Sequence, residues 1–177
     1  MTDPGSLAQP PPERTVRAAR RVDAPIERLW ELGVTPAGLL RWWGSEDLTP
    51  IAARVDPRAG GRWEIDLAYT PALQHPEQHA AFAAAGIPTE VRLSGRIARW
   101  EPPRRIEVPY EARFGSLRPA TPVRWEATMA PVDGATDVEF RATSPAEGHW
   151  DLLGAANLRR QLDRLAALAG DGRPGSA

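Results

Sequence analysis

Residues Arg105–Phe114 have the sequence RIEVPYEARF, in which apolar and polar side chains alternate almost without a break. A period of two is typical of a β-strand that buries one face and exposes the other. The same period recurs in four further segments, which are Arg62–Tyr69, Val91–Ile97, Val123–Met129 and Asp137–Ala142. Since the turn pair Asp133-Gly134 joins the last two, we predict an antiparallel meander.

Predicted helices lie on either side of this meander in the sequence. Val16–Val22 predicts a first strand, and Asp23-Ala24-Pro25 then supplies the start of the first of two short helices. A long C-terminal helix is predicted from apolar residues at helical spacing, which are Trp150, Leu153, Leu158, Leu162, Leu165 and Leu168. The order predicts an α+β domain, with helices packed on one face of a curved antiparallel sheet of about six to seven strands.

We expect a single domain over residues 15–169. Residues 1–14 and 170–177 are rich in Pro, Gly and Ser, which predicts disordered tails. Residues 70–89 interrupt the meander, and the Ala-rich segment Glu77–Ala85 predicts a short inserted helix. Because long insertions in compact domains are often functional, we expect this one to form a lid over a binding site.

Composition and charge exclude several classes of function. The formal net charge is -1, so no overall field attracts nucleic acid, and we expect no nucleic-acid partner. The chain has no cysteine, and all 22 basic residues are arginine, which excludes disulfides, thiolate nucleophiles and lysine Schiff bases. The N-terminus lacks the apolar stretch of a signal peptide or membrane span, so we expect a cytoplasmic protein. We also expect the protein to be a monomer or a weak dimer.

Six segments carry a resemblance to a known family. They are Arg20–Trp30 (RRVDAPIERLW), Leu40–Gly44 (LRWWG), Asp56–Trp63 (DPRAGGRW), Gly95–Ile97 (GRI), Trp100–Ile106 (WEPPRRI) and Glu147–Trp150 (EGHW). In this order they resemble the START-like (SRPBCC) superfamily, and within it the bacterial relatives of the C-terminal domain of the Hsp90 ATPase activator. The resemblance implies a helix-grip fold, in which the sheet wraps around the C-terminal helix and encloses an apolar cavity.

The resemblance is compatible with several different functions. The superfamily includes lipid carriers, hormone receptors, polyketide aromatases and cyclases, resistance proteins and cochaperone domains. The eukaryotic Hsp90 activator has an additional N-terminal domain for which this chain has no room. Stimulation of Hsp90 is therefore not expected.

Aromatic side chains dominate the predicted inward face of the sheet. The residues on that phase are Trp63, Tyr69, Tyr110, Trp125, Met129 and Phe140, and each lines either a packed core or a pocket. Trp42 and Trp43 are consecutive and cannot share one helical face, so we expect one of them at the pocket rim. We expect Trp30, on the apolar face of the first helix, to lie in the core of the domain.

Three polar residues are further candidates for ligand contacts. Arg20 falls in phase with Ala18 and Val22, which predicts a guanidinium turned towards the interior. An Asp or Glu of the chain is the first candidate for its partner, and a ligand is the second. Asn157 and Gln161 lie near the apolar stripe of the last helix, where they are candidates for hydrogen bonds to a ligand.

No metal or nucleotide cofactor is expected. His75 and His79 stand four residues apart, but no third ligand accompanies them. His149 precedes Trp150 at the start of the last helix, and a surface role is favoured there over acid–base chemistry. Residues 170–175 match the dinucleotide fingerprint by letter, with no strand before them and no helix after them.

Three hypotheses for the function remain. The first is a non-enzymatic module that binds or sequesters a small hydrophobic, aromatic or polycyclic molecule, in a setting such as natural-product biosynthesis or self-resistance. The second is an aromatase or cyclase, in which Arg20 or Tyr110 polarises a carbonyl of the substrate. The third is a protein-interaction domain of the cochaperone type.

Overall fold

The alternating segments of the sequence are β-strands in the structure, a computed structural model that describes residues 12–70, 80–82, 84–86, 89–115, 119–146 and 154–170. In chain order the elements are β1 (Glu13–Val22), α1 (Ile26–Val34), α2 (Pro36–Trp42), β2 (Leu48–Val55), β3 (Arg62–Tyr69), β4 (Glu90–Arg96), β5 (Arg99–Glu101), β6 (Arg105–Phe114), β7 (Thr121–Val132), β8 (Ala135–Pro145) and α3 (Ala155–Gly170). Residues 80–82 and 84 are also helical, within the predicted inserted helix.

All pairs of neighbouring strands are antiparallel, in the order β1-β8-β7-β6-β4-β3-β2, and β5 pairs separately with β6. The predicted α+β arrangement is therefore confirmed. Eight strands are found among the described residues, against the six to seven expected, and β5 is only three residues long. The predicted turn joins β7 to β8, with Asp133 at φ 48° and Gly134 at φ 81°, the left-handed conformation that a tight hairpin requires.

The two faces of the sheet differ in chemistry. The outward face carries ion pairs, in which Glu126 meets Arg105 at 2.6 Å and Arg141 at 3.7 Å. On the neighbouring strands Asp66 meets Arg92 at 2.7 Å. The inward face is apolar and packs against the helices, so one side of the alternation stays in water while the other forms the core.

Helices α1 and α2 pack closely against each other. Thr35 begins α2 by accepting a hydrogen bond from Gly38 N at 3.2 Å. A Cβ atom at Gly38 would lie 2.1 Å from Leu32 O, so only glycine allows this approach. The indole of Trp42 then donates to the same Leu32 carbonyl at 2.9 Å. No described helix combines the length and hydropathy that a membrane crossing requires.

The expectation that Trp42 or Trp43 lies at a pocket rim is wrong. Trp42 is fully buried and Trp43 is 4% exposed. Both can be buried because α2 ends at Trp42, and Trp43 has an extended backbone with φ -66° and ψ 162°. The two side chains therefore leave different kinds of backbone and do not have to share one helical face.

Gly44 follows this helix end and is predicted to be essential for stability. Its φ is 105°, and a Cβ atom there would meet Leu48 O at 2.3 Å. Gly60 is a matched control, because it also has a positive φ of 74° but a Cβ atom there would have no neighbour within 4 Å. We expect Gly60→Ala to lower the free energy of unfolding by about 1 kcal/mol through backbone strain alone.

Gly44→Ala should cost at least about 3 kcal/mol, since the steric clash adds to the same strain. Urea denaturation of the two variants measures the difference. Equal losses for both would show that the approach of Gly44 to Leu48 does not constrain the fold.

Candidate functional site

A small pocket separates α3 from the inward face of β3, β4, β6 and β7. Asn157, Leu158 and Gln161 line it from the helix, and Trp43 and Gly44 line it from the segment after α2. The sheet closes the opposite side with aliphatic and aromatic side chains on the inward phase. The site is therefore a gap between the two layers of the domain, a common location for ligand sites.

The structure brings together four of the ten residues predicted for ligand binding, which are Trp43, Tyr110, Trp125 and Asn157. The aliphatic residues that line the pocket were not among the predicted ligand contacts, although the alternation of the strands identifies them. Leu93 and Ala112 alternate in their strands in the same phase as the aromatic residues, and they face each other in the β4–β6 register. Phe114 and Leu67 complete that side of the pocket.

The remaining predicted aromatic residues are packing partners behind the pocket. The ring of Trp43 makes edge contacts with Trp63 and Trp125, each with 5.1 Å between ring centroids. Trp63 stacks on Tyr110 at 5.3 Å. Phe140 lies 5.4 Å from Trp125 and stacks at 5.4 Å on Trp42, so these rings form one continuous aromatic cluster.

Met129 and Tyr69 also lie away from the pocket lining. Met129 is 4% exposed, and its terminal methyl group would be 3.4 Å from a Cβ atom at Gly33 of α1. Tyr69 is half-buried at the end of β3, where its ring contacts Phe82 of the insertion at 5.6 Å. Met129 thus belongs to the core, and Tyr69 connects the sheet to residues 80–82.

Arg20 does not turn towards the interior, and that expectation is wrong. Its side chain is 49% exposed and pairs with Asp163 of α3 at 2.5 Å. The expectation of an acidic partner within the chain is confirmed. Because β1 is an edge strand, its guanidinium reaches α3 without entering the space between the layers.

The pocket has a volume of about 40 Å³. This is well below the roughly 150 Å³ of a cavity that holds benzene, and it exceeds the roughly 10–15 Å³ needed for one water molecule. The sequence predicted a cavity large enough for an organic guest, and in this arrangement the aromatic cluster fills much of that space. Entry of such a guest requires the two layers to separate.

The pocket wall next to Gly44 is held to α3 by side chains of that helix. The Gln161 amide donates to Gly44 O at 3.0 Å, and Arg164 donates to Ser45 O at 3.4 Å. Arg160 pairs with Glu46 at 3.3 Å in a largely exposed salt bridge. Exposed ion pairs contribute about 0–1 kcal/mol, so the Arg160–Glu46 pair adds little to this attachment, which depends mainly on the two hydrogen bonds.

The indole nitrogen of Trp125 is buried and has no hydrogen-bond partner within the described part of the chain. The ring itself is 2% exposed and borders the pocket. A buried donor without an acceptor costs about 1–3 kcal/mol relative to a satisfied one. A ring that lines the pocket therefore carries an unused donor.

Tyr110 is the second polar ring at the pocket. Burial raises the pKa of its hydroxyl far above the ordinary value of 10.0. The phenol is thus un-ionised at any physiological pH and is able to donate a hydrogen bond.

Several sequence predictions fall outside the described residues. These include His75, His79 and His149, the dinucleotide-like segment after Gly170, residues 1–11 and 171–177 of the tails, and most of the 70–89 insertion. The lid therefore stays a prediction. The predicted tails are too long, because Glu13 and Arg14 pair in β1 and Gly170 ends α3. Among the described residues, no cluster of three His, Cys, Asp or Glu side chains has the arrangement of a metal site.

Comparison with known families agrees with this architecture. A family model described as Activator of Hsp90 ATPase homolog 1-like protein matches residues 23–170, from the end of β1 to the end of α3. The chain belongs to this family. Membership confirms the START-like resemblance of the sequence. Among curated proteins, none matches the chain significantly.

Solved structures of bacterial proteins resemble this member of the Activator of Hsp90 ATPase homolog 1-like family over most of its length. A Chromobacterium violaceum protein is 24% identical, with a TM-score of 0.60 over 88% of this chain and 96% of its own. An AHSA1-like protein from Aeromonas hydrophila is 18% identical, with a TM-score of 0.66 over 93% and 99%. A Rhizobium loti protein is 20% identical, with a TM-score of 0.67 over 90% and 99%. At these identities the likeness shows the fold alone.

The raised pKa of Tyr110 predicts a loss of stability in alkaline solution. The phenol ionises near pH 10 in the unfolded chain and only at higher pH in the folded one, so above about pH 10 the unfolded state binds fewer protons. The free energy of unfolding should then fall by up to about 1.4 kcal/mol per pH unit, with no such effect at neutral pH.

Tyr110→Phe keeps the ring that stacks on Trp63 and should remove this contribution. Denaturation of both proteins at about pH 9 and about pH 11 measures how far the free energy of unfolding of each falls between the two pH values. If the stabilities of the two proteins fall in parallel, Tyr110 is accessible to water in the folded state.

Proposed function

We propose that the protein binds a small hydrophobic molecule between α3 and the inward face of the sheet. The observation that carries this proposal is how α3 is seated. The helix packs mainly on β1, α1 and α2, whereas the pocket separates it from the inward face of β3, β4 and β6. An apolar guest there would bury the facing walls against itself, and burial of apolar area is the main driving force for such binding.

The size of the pocket limits the guest. A volume of about 40 Å³ favours a guest with a single ring over the polycyclic molecules that the sequence suggested, and even one ring requires expansion. Release of α3 from this segment breaks the exposed Arg160–Glu46 pair at little cost. It also breaks the Arg164–Ser45 hydrogen bond and the buried Gln161–Gly44 hydrogen bond, each worth about 1 kcal/mol or more. Uptake by outward movement of α3 from this segment is therefore part of the proposal.

An aromatase or cyclase function has less support. Arg20, one of the two groups considered for polarising a carbonyl, is paired with Asp163 on the outside. Tyr110 remains, and a single neutral hydroxyl offers modest electrostatic assistance, since no carboxylate or imidazole is found among the described residues that line the pocket. A cochaperone role has the description of the family in its favour, but no surface among the described residues argues for it.

Binding of single-ring guests tests the proposal directly. We expect ethylbenzene to bind the wild-type protein and to raise its melting temperature, and 2-ethylnaphthalene to bind much more weakly because it needs more expansion. Isothermal titration calorimetry and thermal shift measure both. Arg20→Ala should leave the affinity unchanged, since Arg20 lies outside the pocket.

Enlarging the pocket should relax this size limit. Leu93 lines the pocket, and Leu93→Ala should lower the free energy of unfolding by about 2–5 kcal/mol and allow 2-ethylnaphthalene to bind. Leu29→Ala is a matched control, because Leu29 is fully buried in α1 and does not border the pocket. Absence of binding by every guest to the wild-type and Leu93→Ala proteins contradicts the proposed function.

A further inference from the structure

The chemistry of the pocket wall restricts the guest in addition to the volume of the pocket. Among the described residues that line the pocket, none carries a charged side chain. The polar side chains facing it are those of Tyr110, Trp125, Asn157 and Gln161, together with Trp43. One N–H of the Gln161 amide already donates to Gly44 O at 3.0 Å. A guest would therefore meet apolar walls and a few neutral polar groups.

Two tryptophans of the aromatic cluster differ in how their indole N–H groups are used. Trp42 Nε1 donates to Leu32 O at 2.9 Å, and Trp42 does not border the pocket. Trp125 Nε1 is equally buried, yet no acceptor for it exists in the described chain. The unused donor thus belongs to a ring that lines the pocket. The nitrogen itself is shielded in this arrangement, so a guest supplies an acceptor to it only when the layers separate.

Tyr110 adds a second donor on the same face. In the register of β6 and β7, Tyr110 pairs with Val123, and Trp125 follows Val123 by two residues. Residues two apart in a strand point to the same side, so both rings face α3. Since burial raises the pKa of Tyr110, its hydroxyl keeps the proton that a hydrogen bond to a guest would use.

From this arrangement we propose that the guest is a neutral molecule with a hydrogen-bond acceptor oxygen, of the ketone, ester or lactone class, and that Trp125 Nε1 donates to that oxygen. This inference rests on the proposed binding function and names the class of its ligand. A carboxylate or phosphate is disfavoured, because burying an anion without a cationic partner is costly and no described lining residue provides one. Arg20, the cation that the sequence placed nearby, is outside and paired with Asp163.

Three one-ring compounds of matched size test the inference, namely acetophenone, ethylbenzene and benzoate. Their affinities for the full chain are measured by calorimetry at neutral pH. In parallel, ¹H–¹⁵N spectra follow the indole N–H signals of the seven tryptophans. The Trp125 signal is identified by its loss in Trp125→Phe or by through-bond assignment, so the wild-type protein suffices if that variant does not fold.

Acetophenone should bind roughly fivefold to tenfold more tightly than ethylbenzene, the effect of one hydrogen bond. It should move the Trp125 N–H signal downfield, and ethylbenzene should not. Benzoate should bind at least about a hundredfold more weakly than acetophenone, and its affinity should rise as the pH falls towards the carboxyl pKa near 4. In Trp125→Phe the advantage of acetophenone should disappear, whereas the matched control Trp42→Phe should retain it.

The failures of the two proposals are distinguishable. Equal affinities for acetophenone and ethylbenzene, or tight binding of benzoate at neutral pH, would overturn the neutral-acceptor inference and leave the binding function standing. An unchanged Trp125 signal, with the preference intact in Trp125→Phe, would overturn the role of this donor. Absence of binding by all three compounds would overturn the proposed function and this inference together.

Discussion

The ring of Trp43 lies between Trp63 and Trp125, and the layout of the site depends on this contact. Trp43 is in place because α2 ends one residue earlier and the backbone becomes extended. The chain then turns at Gly44, which has a positive φ, and the Gly44 carbonyl accepts a hydrogen bond from the Gln161 amide of α3. One helix end thus sets how far the helical layer stands from the sheet, and hence how much of the space between them is filled.

The sequence predicted the faces of the strands well and the space between the layers poorly. Alternation alone placed Trp63, Tyr110 and Trp125 inward, because the period of a strand is a local property of the backbone. The position of Trp43 depends on the residue at which a short helix ends, and the end of a helix is the part of it that a sequence locates least well. The phase of Arg20 was also predicted, but on an edge strand next to a helix a long side chain leaves the inward side towards water and pairs there with Asp163.

The volume of the pocket was beyond prediction for a different reason. A list of inward residues does not determine whether their rings interlock, because packing depends on side-chain rotamers in three dimensions. Here Trp63 stacks on Tyr110 while Trp42 stacks on Phe140, and these contacts take up space that the fold could have left empty. These interlocked rings therefore leave little room for a guest unless α3 moves away from the sheet.

The separation of charge in the domain favours recognition through neutral groups. The described ion pairs lie on the outward face and at the surface, where Glu126 meets two arginines and Asp66 meets two more. None of the described residues that line the pocket takes part in an ion pair, and their polar atoms belong to aromatic rings and to the amides of Asn157 and Gln161. A buried site of this kind discriminates between guests by hydrogen bonding more than by charge. A guest without an acceptor leaves the donor unsatisfied and loses the stabilisation that the hydrogen bond would supply. In the proposed complex, apolar area therefore sets how tightly a guest is held, while the indole of Trp125 discriminates between guests of equal size.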